Sequence, residues 1–260
     1  MTAHSAANTK VKSAVRVLEV FEYFDQVQRE ASVSEIARAL GYPASSTSVL
    51  LHSLAEIGYV EQDARRMYRP TPRVTLLGAW IDRQLAPEGP VLQLMGELGE
   101  ATGETIILAV HSGQVVRYIH VVPATKSMRL HLGPGTIRPL ATSGLGRLFM
   151  AMMPDEEVRH AVFRHNARQA DDQSRLSLAT VRRDIQAIQS AGYAVSVDRV
   201  SPGAGVVAVA LPRLDGRPPM GIGIGGLSKT IRANAEAFAT MIKAGIRRHI
   251  GGAKTPRRAA

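Results

Sequence analysis

The sequence predicts an α+β chain in which a small helical unit precedes a larger mixed domain. Three observations carry that expectation. Residues 32–53 (SVSEIARALGYPASSTSVLLHS) spell two short helices around a tight turn. Two strand-like segments, 59–62 and 67–71, follow at once around Asp63-Ala64-Arg65-Arg66. From residue 91 onward, strand-like runs are interspersed with helical ones, the signature of a sheet flanked by helices.

Taken in order, residues 1–12 read as a mobile arm. Residues 13–25 (SAVRVLEVFEYFD) are helical, with Val17, Leu18, Phe21 and Phe24 on one side. Ser32 and Glu35 form an S-x-x-E capping box at the start of the next helix. Val33, Ile36, Ala37 and Leu40 share that helix's inner face. Gly41 stops it, because glycine reaches the left-handed conformation without steric cost. Pro43 suits the first turn of the following helix, where its missing N–H is not needed. That helix turns Leu50, Leu51, Leu54 and Ile57 inward. Its opposite side carries Ser45, Ser48, Val49, His52, Ser53 and Glu56, and Ser46 and Thr47 complete a hydroxyl-rich set.

Two readings fit this stretch: a plain helical hairpin in a core, or a helix-turn-helix whose second helix enters the major groove of double-stranded DNA. The hairpin that follows favours the second. Arg65 and Arg66 at its tip make a wing able to meet phosphates or a minor groove.

Pro72 opens a linker helix over 72–87. Val74, Leu77, Trp80, Ile81 and Leu85 form an apolar stripe that needs a neighbour, such as a second copy of itself. The string APEGP (86–90) breaks it. Helices are expected at 91–101, 145–153, 155–165, 178–191 and 231–250. Strands are expected at 105–111, 114–122, 127–132, 193–198, 205–213 and 221–227, with turns at Ser112-Gly113 and Asp215-Gly216 and a loop from Gly133 to Gly144. The resulting division is an arm (1–12), a winged helix-turn-helix (13–71), a linker helix (72–87), a sensory domain (88–251) and a basic tail (252–260).

The 260 residues suffice for about two domains. Cysteine is absent, which excludes disulfides, thiolate metal sites and thiol nucleophiles and fits the cytoplasm. No apolar run is long enough to span a bilayer, and the N-terminus lacks the apolar stretch of a signal peptide. The net charge of +10 fits an acidic partner but does not locate it. Residues 1–86 hold ten Lys and Arg against nine Asp and Glu, so the excess lies beyond the helix-turn-helix.

With these parts in this order, three strings make the chain resemble the IclR family of bacterial transcriptional regulators. They are ASVSEIARALGYPASSTSVLLHSLAEIGYVE, RPLATSGLGRLFMAMMP and QSAGYAVSVDRVSPGAGVVAVALPRLDG. The resemblance spans about residues 11–250. It implies a winged helix-turn-helix, a linker helix and a C-terminal GAF-like effector-binding domain. It also implies a homodimer or tetramer on a palindromic operator. Family members commonly have a basic residue after the turn proline and an arginine beside the central leucines; here Ala44 and Val49 stand there. Weak direct reading of guanine follows, with Val49 suited to a thymine methyl.

By the same resemblance, the effector site is built around Ser143, Gly144, Leu145 and Gly146. The positions matching an acidic side chain, a cysteine and two serines are Ser196, Val206, Gly223 and Gly225. Loss of bulk and of donors there predicts an effector larger and more apolar than a two- or three-carbon keto acid, such as an aromatic or alicyclic acid.

Other signals point elsewhere only weakly. The G-x-G-x-x-G run at 221–226 has alternating isoleucines and no acidic residue about twenty residues on, so it reads as a strand and not as a dinucleotide fingerprint. The eight histidines show no metal-ligand spacing; His111, His120 and His131 could approach one another if their strands are adjacent, but read better as ordinary strand residues. Ser143 lacks a G-x-S-x-G frame, and no nucleophile–base pair stands out. The reading is therefore a ligand-responsive DNA-binding regulator of a catabolic operon, without cofactor or metal and not an enzyme. The rivals are an enzyme acting on a small organic acid and a winged-helix protein–protein module.

Overall fold

The computed structural model describes residues 11–78, 89–126, 130, 132–171, 174–212 and 218–251. The chain divides into two compact units, 1–83 and 84–260. The first holds α1 (Lys12–Val27), α2 (Val33–Leu40), α3 (Ala44–Glu56), the hairpin β1 (Val60–Gln62) and β2 (Tyr68–Pro70), and α4 (Pro72–Gly78).

The capping box forms as expected. The Ser32 hydroxyl accepts from Glu35 N–H at 3.3 Å, and the Glu35 carboxylate accepts from Ser32 N–H at 2.8 Å. Gly41 is left-handed (φ 68°) and its N–H closes the helix onto the carbonyls of Ala37 and Arg38. Pro43 sits one residue earlier than expected, at the N-cap of α3, because its ψ of 135° is extended.

Val20, Phe24, Ile36, Leu51, Leu54, Val60 and Tyr68 make one core from all three helices and the hairpin. Two expected core residues lie outside it. Leu18 is 62% exposed, because α1 buries Val20, Tyr23 and Phe24 instead. Ile57 is 53% exposed, because α3 ends at Glu56 and helical periodicity no longer places the next side chain inward. Of the linker stripe, Trp80, Ile81 and Leu85 lie outside the described residues.

The second unit holds α5 (Pro90–Thr102), β3 (Thr105–Ser112), β4 (Val115–Val122), β5 (Ile137–Pro139), α6 (Gly144–Met150), α7 (Asp155–Asn166), α8 (Leu178–Ala191), β6 (Ala194–Val197), β7 (Ala204–Ala210), β8 (Met220–Leu227) and α9 (Ser228–His249). The strands form one sheet in the order β5-β4-β3-β8-β7-β6, every neighbour antiparallel. Period-two alternation divides its side chains between two cores. Ile106, Leu108, Val207, Val209, Ile222 and Ile224 pack with α5 and α9. Ile107, Ala109, Val116, Tyr118 and Ala208 pack with α6, α7 and α8.

The strand expected at 127–132 is not where the sheet continues: Leu130 and Leu132 are not in a strand, and 127–129 and 131 lie outside the described residues. The edge strand is instead 137–139, inside the stretch expected as loop. A strand ending in proline is tolerated at an edge, where no neighbour requires its missing N–H. The glycine-rich run is the central strand β8, as expected. The turn at Asp215-Gly216 lies outside the described residues. No helix among the described residues is long and apolar enough to cross a membrane.

Candidate DNA-binding and effector sites

Helix α3 presents Ser45, Ser48, Val49, His52 and Ser53 to solvent, the outer face expected from the sequence. Val49 is 68% exposed, and His52 Nε2 lies 3.5 Å from the Glu56 carboxylate. Thr47 does not belong to this face. It is 1% exposed, and its hydroxyl donates to the Pro43 carbonyl at 3.0 Å. Ser46 donates to the same carbonyl at 3.0 Å and is half-buried. Two of the hydroxyls expected to face a duplex are thus spent on the start of their own helix.

The wing hairpin is built by Asp63. Its carboxylate accepts from Arg65 N–H (2.9 Å) and Met67 N–H (2.7 Å), which lets Arg66 adopt φ 61° at the tip. Those bonds, Met67's first, hold the Asp63 pKa below the usual carboxylate range. The two arginines are not equivalent. Arg65 is tied to Asp63 Oδ2 at 3.1 Å and to Glu30. Arg66 is exposed and makes no ion pair among the described residues.

In the second unit, a cavity of about 200 Å³ opens beside the N-terminus of α6. Ser143, Gly144, Ser196, Val206 and Gly225 line it, five of the eight residues named from the sequence. Ser143 is 3% exposed: its hydroxyl donates to the Pro139 carbonyl at 2.7 Å and accepts from Gly146 N–H at 3.1 Å. The Gly146 N–H is thus already taken by this cap and is not available to a ligand. Only glycine fits at 144, where a Cβ would come within 2.5 Å of Val206 Cγ1. At Gly146 it would stand 2.0 Å from the Leu140 carbonyl oxygen.

Leu145 and Gly223 do not line the cavity. Leu145 is 1% exposed and points into the core. A Cβ at Gly223 would meet Val206 Cγ2 at 2.9 Å and Leu145 Cδ1 at 3.5 Å. The space released by glycine at 223 is therefore taken first by Val206 of β7 and then by Leu145 of α6. Gly225 does face it, close to Ile107 and Leu130.

Among the lining residues not named from the sequence are Arg138 and Tyr118. Pairing of β4 with β5 sets Arg138 opposite Val116, on the inward face that Tyr118 shares. Tyr118 is 5% exposed and lines the cavity together with Arg138. Burial pushes its phenol pKa up, and the Arg138 guanidinium pulls the other way. The usable signal is a charged side chain at the inward position of an alternating strand. The cavity is thus apolar over Ile107, Leu130, Leu132, Val200 and Val206, with one cation, one phenol and the hydroxyl residues Ser143, Ser196 and Ser201 around it.

His111 and His120 do not converge. His111 faces Val116 near the turn, where its Nε2 contacts the Gly113 carbonyl at 2.7 Å, whereas His120 faces Leu108. His131 lies outside the described residues. Among the described residues no group of three or more His, Asp and Glu is placed to hold a metal ion.

Comparison with known proteins gives these sites a context. The family model described as the bacterial transcriptional regulator IclR C-terminal domain matches residues 90–247, and the IclR helix-turn-helix domain matches 13–64. The HTH-type transcriptional regulator BhcR of Paracoccus denitrificans is 24% identical over 232 residues, 89% of this chain and 82% of BhcR. The transcriptional repressor IclR of Escherichia coli is 24% identical over 258 residues, 92% of this chain and 89% of IclR. The crystal structure of Thermotoga maritima IclR has the same fold, with a TM-score of 0.62 at 21% identity over 93% of this chain and 100% of that one. The chain therefore belongs to the IclR family of bacterial transcriptional regulators, with a DNA-binding helix-turn-helix and an effector domain.

Proposed function

We propose that the effector is a monocyclic aromatic or alicyclic carboxylic acid, held by its carboxylate on Arg138 with its ring among Ile107, Leu130, Leu132 and Val206. The observation that carries this is the pairing of one guanidinium with an apolar wall of Ile107, Leu130, Leu132, Val200 and Val206 in a cavity of about 200 Å³. Comparable apolar cavities of roughly 150 Å³ accommodate benzene. A guanidinium fork matches a carboxylate, and such charge-assisted bonds are worth about 1.5–3 kcal/mol. In calorimetric titrations of the full chain, benzoate and cyclohexanecarboxylate are expected to bind more tightly than pyruvate or glyoxylate. Arg138→Met is expected to weaken the ring acids by about 10- to 100-fold. Preference for the keto acids, or unchanged affinity in the variant, overturns the assignment.

On the DNA side, we infer that Ser45, Ser48, Val49 and His52 meet base edges while Arg66 meets the backbone. We take residues 13–71 as the DNA-binding part, 72–87 as the linker and 88–251 as the effector part. A homodimer or tetramer would then occupy a palindromic operator beside catabolic genes in the cytoplasm. Effector and operator would change each other's affinity by one coupling free energy, with the acid released unaltered.

A further inference from the structure

A second cavity, of about 260 Å³, lies against α6, α8 and β6, and shares one wall, Ser196, with the effector cavity. Its floor is Arg147, 4% exposed. Arginine is seldom buried without a partner, because an unpaired charge out of water is costly. Here Nε and Nη1 of the guanidinium have no hydrogen-bond partner among the described residues. Asp184 Oδ2 lies 3.8 Å from Nη1, beyond hydrogen-bond reach, and takes Arg199 Nη1 at 2.9 Å. Two guanidinium groups thus compete for one carboxylate, leaving one positive charge uncompensated. Burial pushes the Arg147 pKa down, Asp184 opposes this and Arg199 adds to it. Lys243 Nζ, 5.0 Å from the Tyr193 ring centroid, adds a further cation beside the cavity wall.

We propose that this cavity is a second ligand site, which takes a small monocarboxylate between Arg147 and Arg199. A carboxylate supplies both the missing negative charge and the paired acceptors that a planar fork requires. The rest of the lining is Ala187, Ile188, Ala191 and Val195, which suits a short alkyl chain. A dianion fits less well, since Asp184 would repel its second charge. Occupancy here would be felt through Ser196 and α6 at the effector cavity, although the site itself does not depend on what the effector is.

The test uses the full chain carrying Arg138→Met, which removes the cation of the effector cavity, so that failure of the effector assignment and failure of this one are separable. Propionate is titrated by calorimetry, with inorganic phosphate as the competing anion. Propionate is expected to bind more tightly than phosphate. Ala187→Glu puts a carboxylate at the exposed rim and Arg199→Gln removes the outer cation; each is expected to weaken propionate by about tenfold or more. Both positions are exposed, and an unchanged circular dichroism spectrum certifies the fold. Absence of propionate binding, tighter binding of phosphate, or affinity untouched by both substitutions overturns the proposal.

Discussion

Both units carry exposed, paired arginines, but among the described residues only the effector unit also buries one. In the helix-turn-helix unit, Arg29, Arg65 and Arg69 are exposed and paired with Glu35, with Asp63 and Glu30, and with Glu61. Such pairs are weak and screened by salt, so a phosphate can replace the carboxylate at little cost. In the effector unit, Arg147 is buried with unmet donors and Arg138 stands in an apolar cavity. There each charge is in a low-dielectric setting, and its partner matters far more. On the proposed roles, the exposed wing arginines serve a large polyanion that arrives with many charges, and the enclosed ones serve small ligands that bring a single charge. The buried geometry should therefore be brittle and the exposed one graded.

The largest effect is expected from Gly146→Ala. The added methyl would press on the backbone carbonyl of Leu140, which cannot swing away as a side chain would. Overpacking of this kind costs about 1–3 kcal/mol or more. The melting transition of the effector unit should fall while operator-independent properties of the other unit persist. A transition unchanged within error would break the contrast.

A smaller effect separates the wing arginines. Arg66→Gln should lower the salt dependence of DNA binding by about one phosphate per copy bound, a change of about 0.9 in the log–log slope. Arg65→Gln should change it less, because Asp63 and Glu30 already occupy that guanidinium. The reverse order would show that the intramolecular pairs yield to DNA and that Arg65 is the stronger contact.

The smallest effect concerns the capping box. Backbone and hydroxyl hydrogen bonds from Ser32, followed by Arg29, lower the Glu35 pKa from 4.5 to about 2. A carboxylate whose folded pKa is depressed contributes stability above its unfolded value, and that contribution is lost as the pH falls toward the folded one. Glu35→Gln keeps an acceptor for the box but removes the charge. The wild-type advantage over this variant should be present above about pH 4.5 and fade toward pH 2, read by urea denaturation across that range. A difference that does not vary with pH would mean the charge contributes nothing.

Local chemistry explains what the sequence made legible. The cap at Ser32 and Glu35, the stop at Gly41, and the turn at Ser112-Gly113 are decided within a few residues, and they formed. So did the apolar–glycine alternation that makes 221–227 a strand. What stayed hidden depends on partners distant in sequence. Thr47 is the exception: it shares the inner face of Leu51 and Leu54 by helical spacing, a local signal that its hydroxyl type masked. The value of Gly223 depends on how Val206 and Leu145 pack over it, which no local pattern states. Arg138 and Tyr118 lie twenty positions apart and meet because a short edge strand, read as loop, folds beside β4. Arg147 reads as an ordinary helix arginine until the sheet closes around it.

All seven residues of α6, from Gly144 to Met150, are buried. A helix enclosed on every side has no face along which it can slide through water. Any shift at its Ser143 end must be answered at once by the sheet beneath and by α8 alongside, since close-packed interiors have little slack to absorb it. News of an arriving ligand would then spread as displacement of one stiff slab, much as a keystone cannot settle without moving the arch.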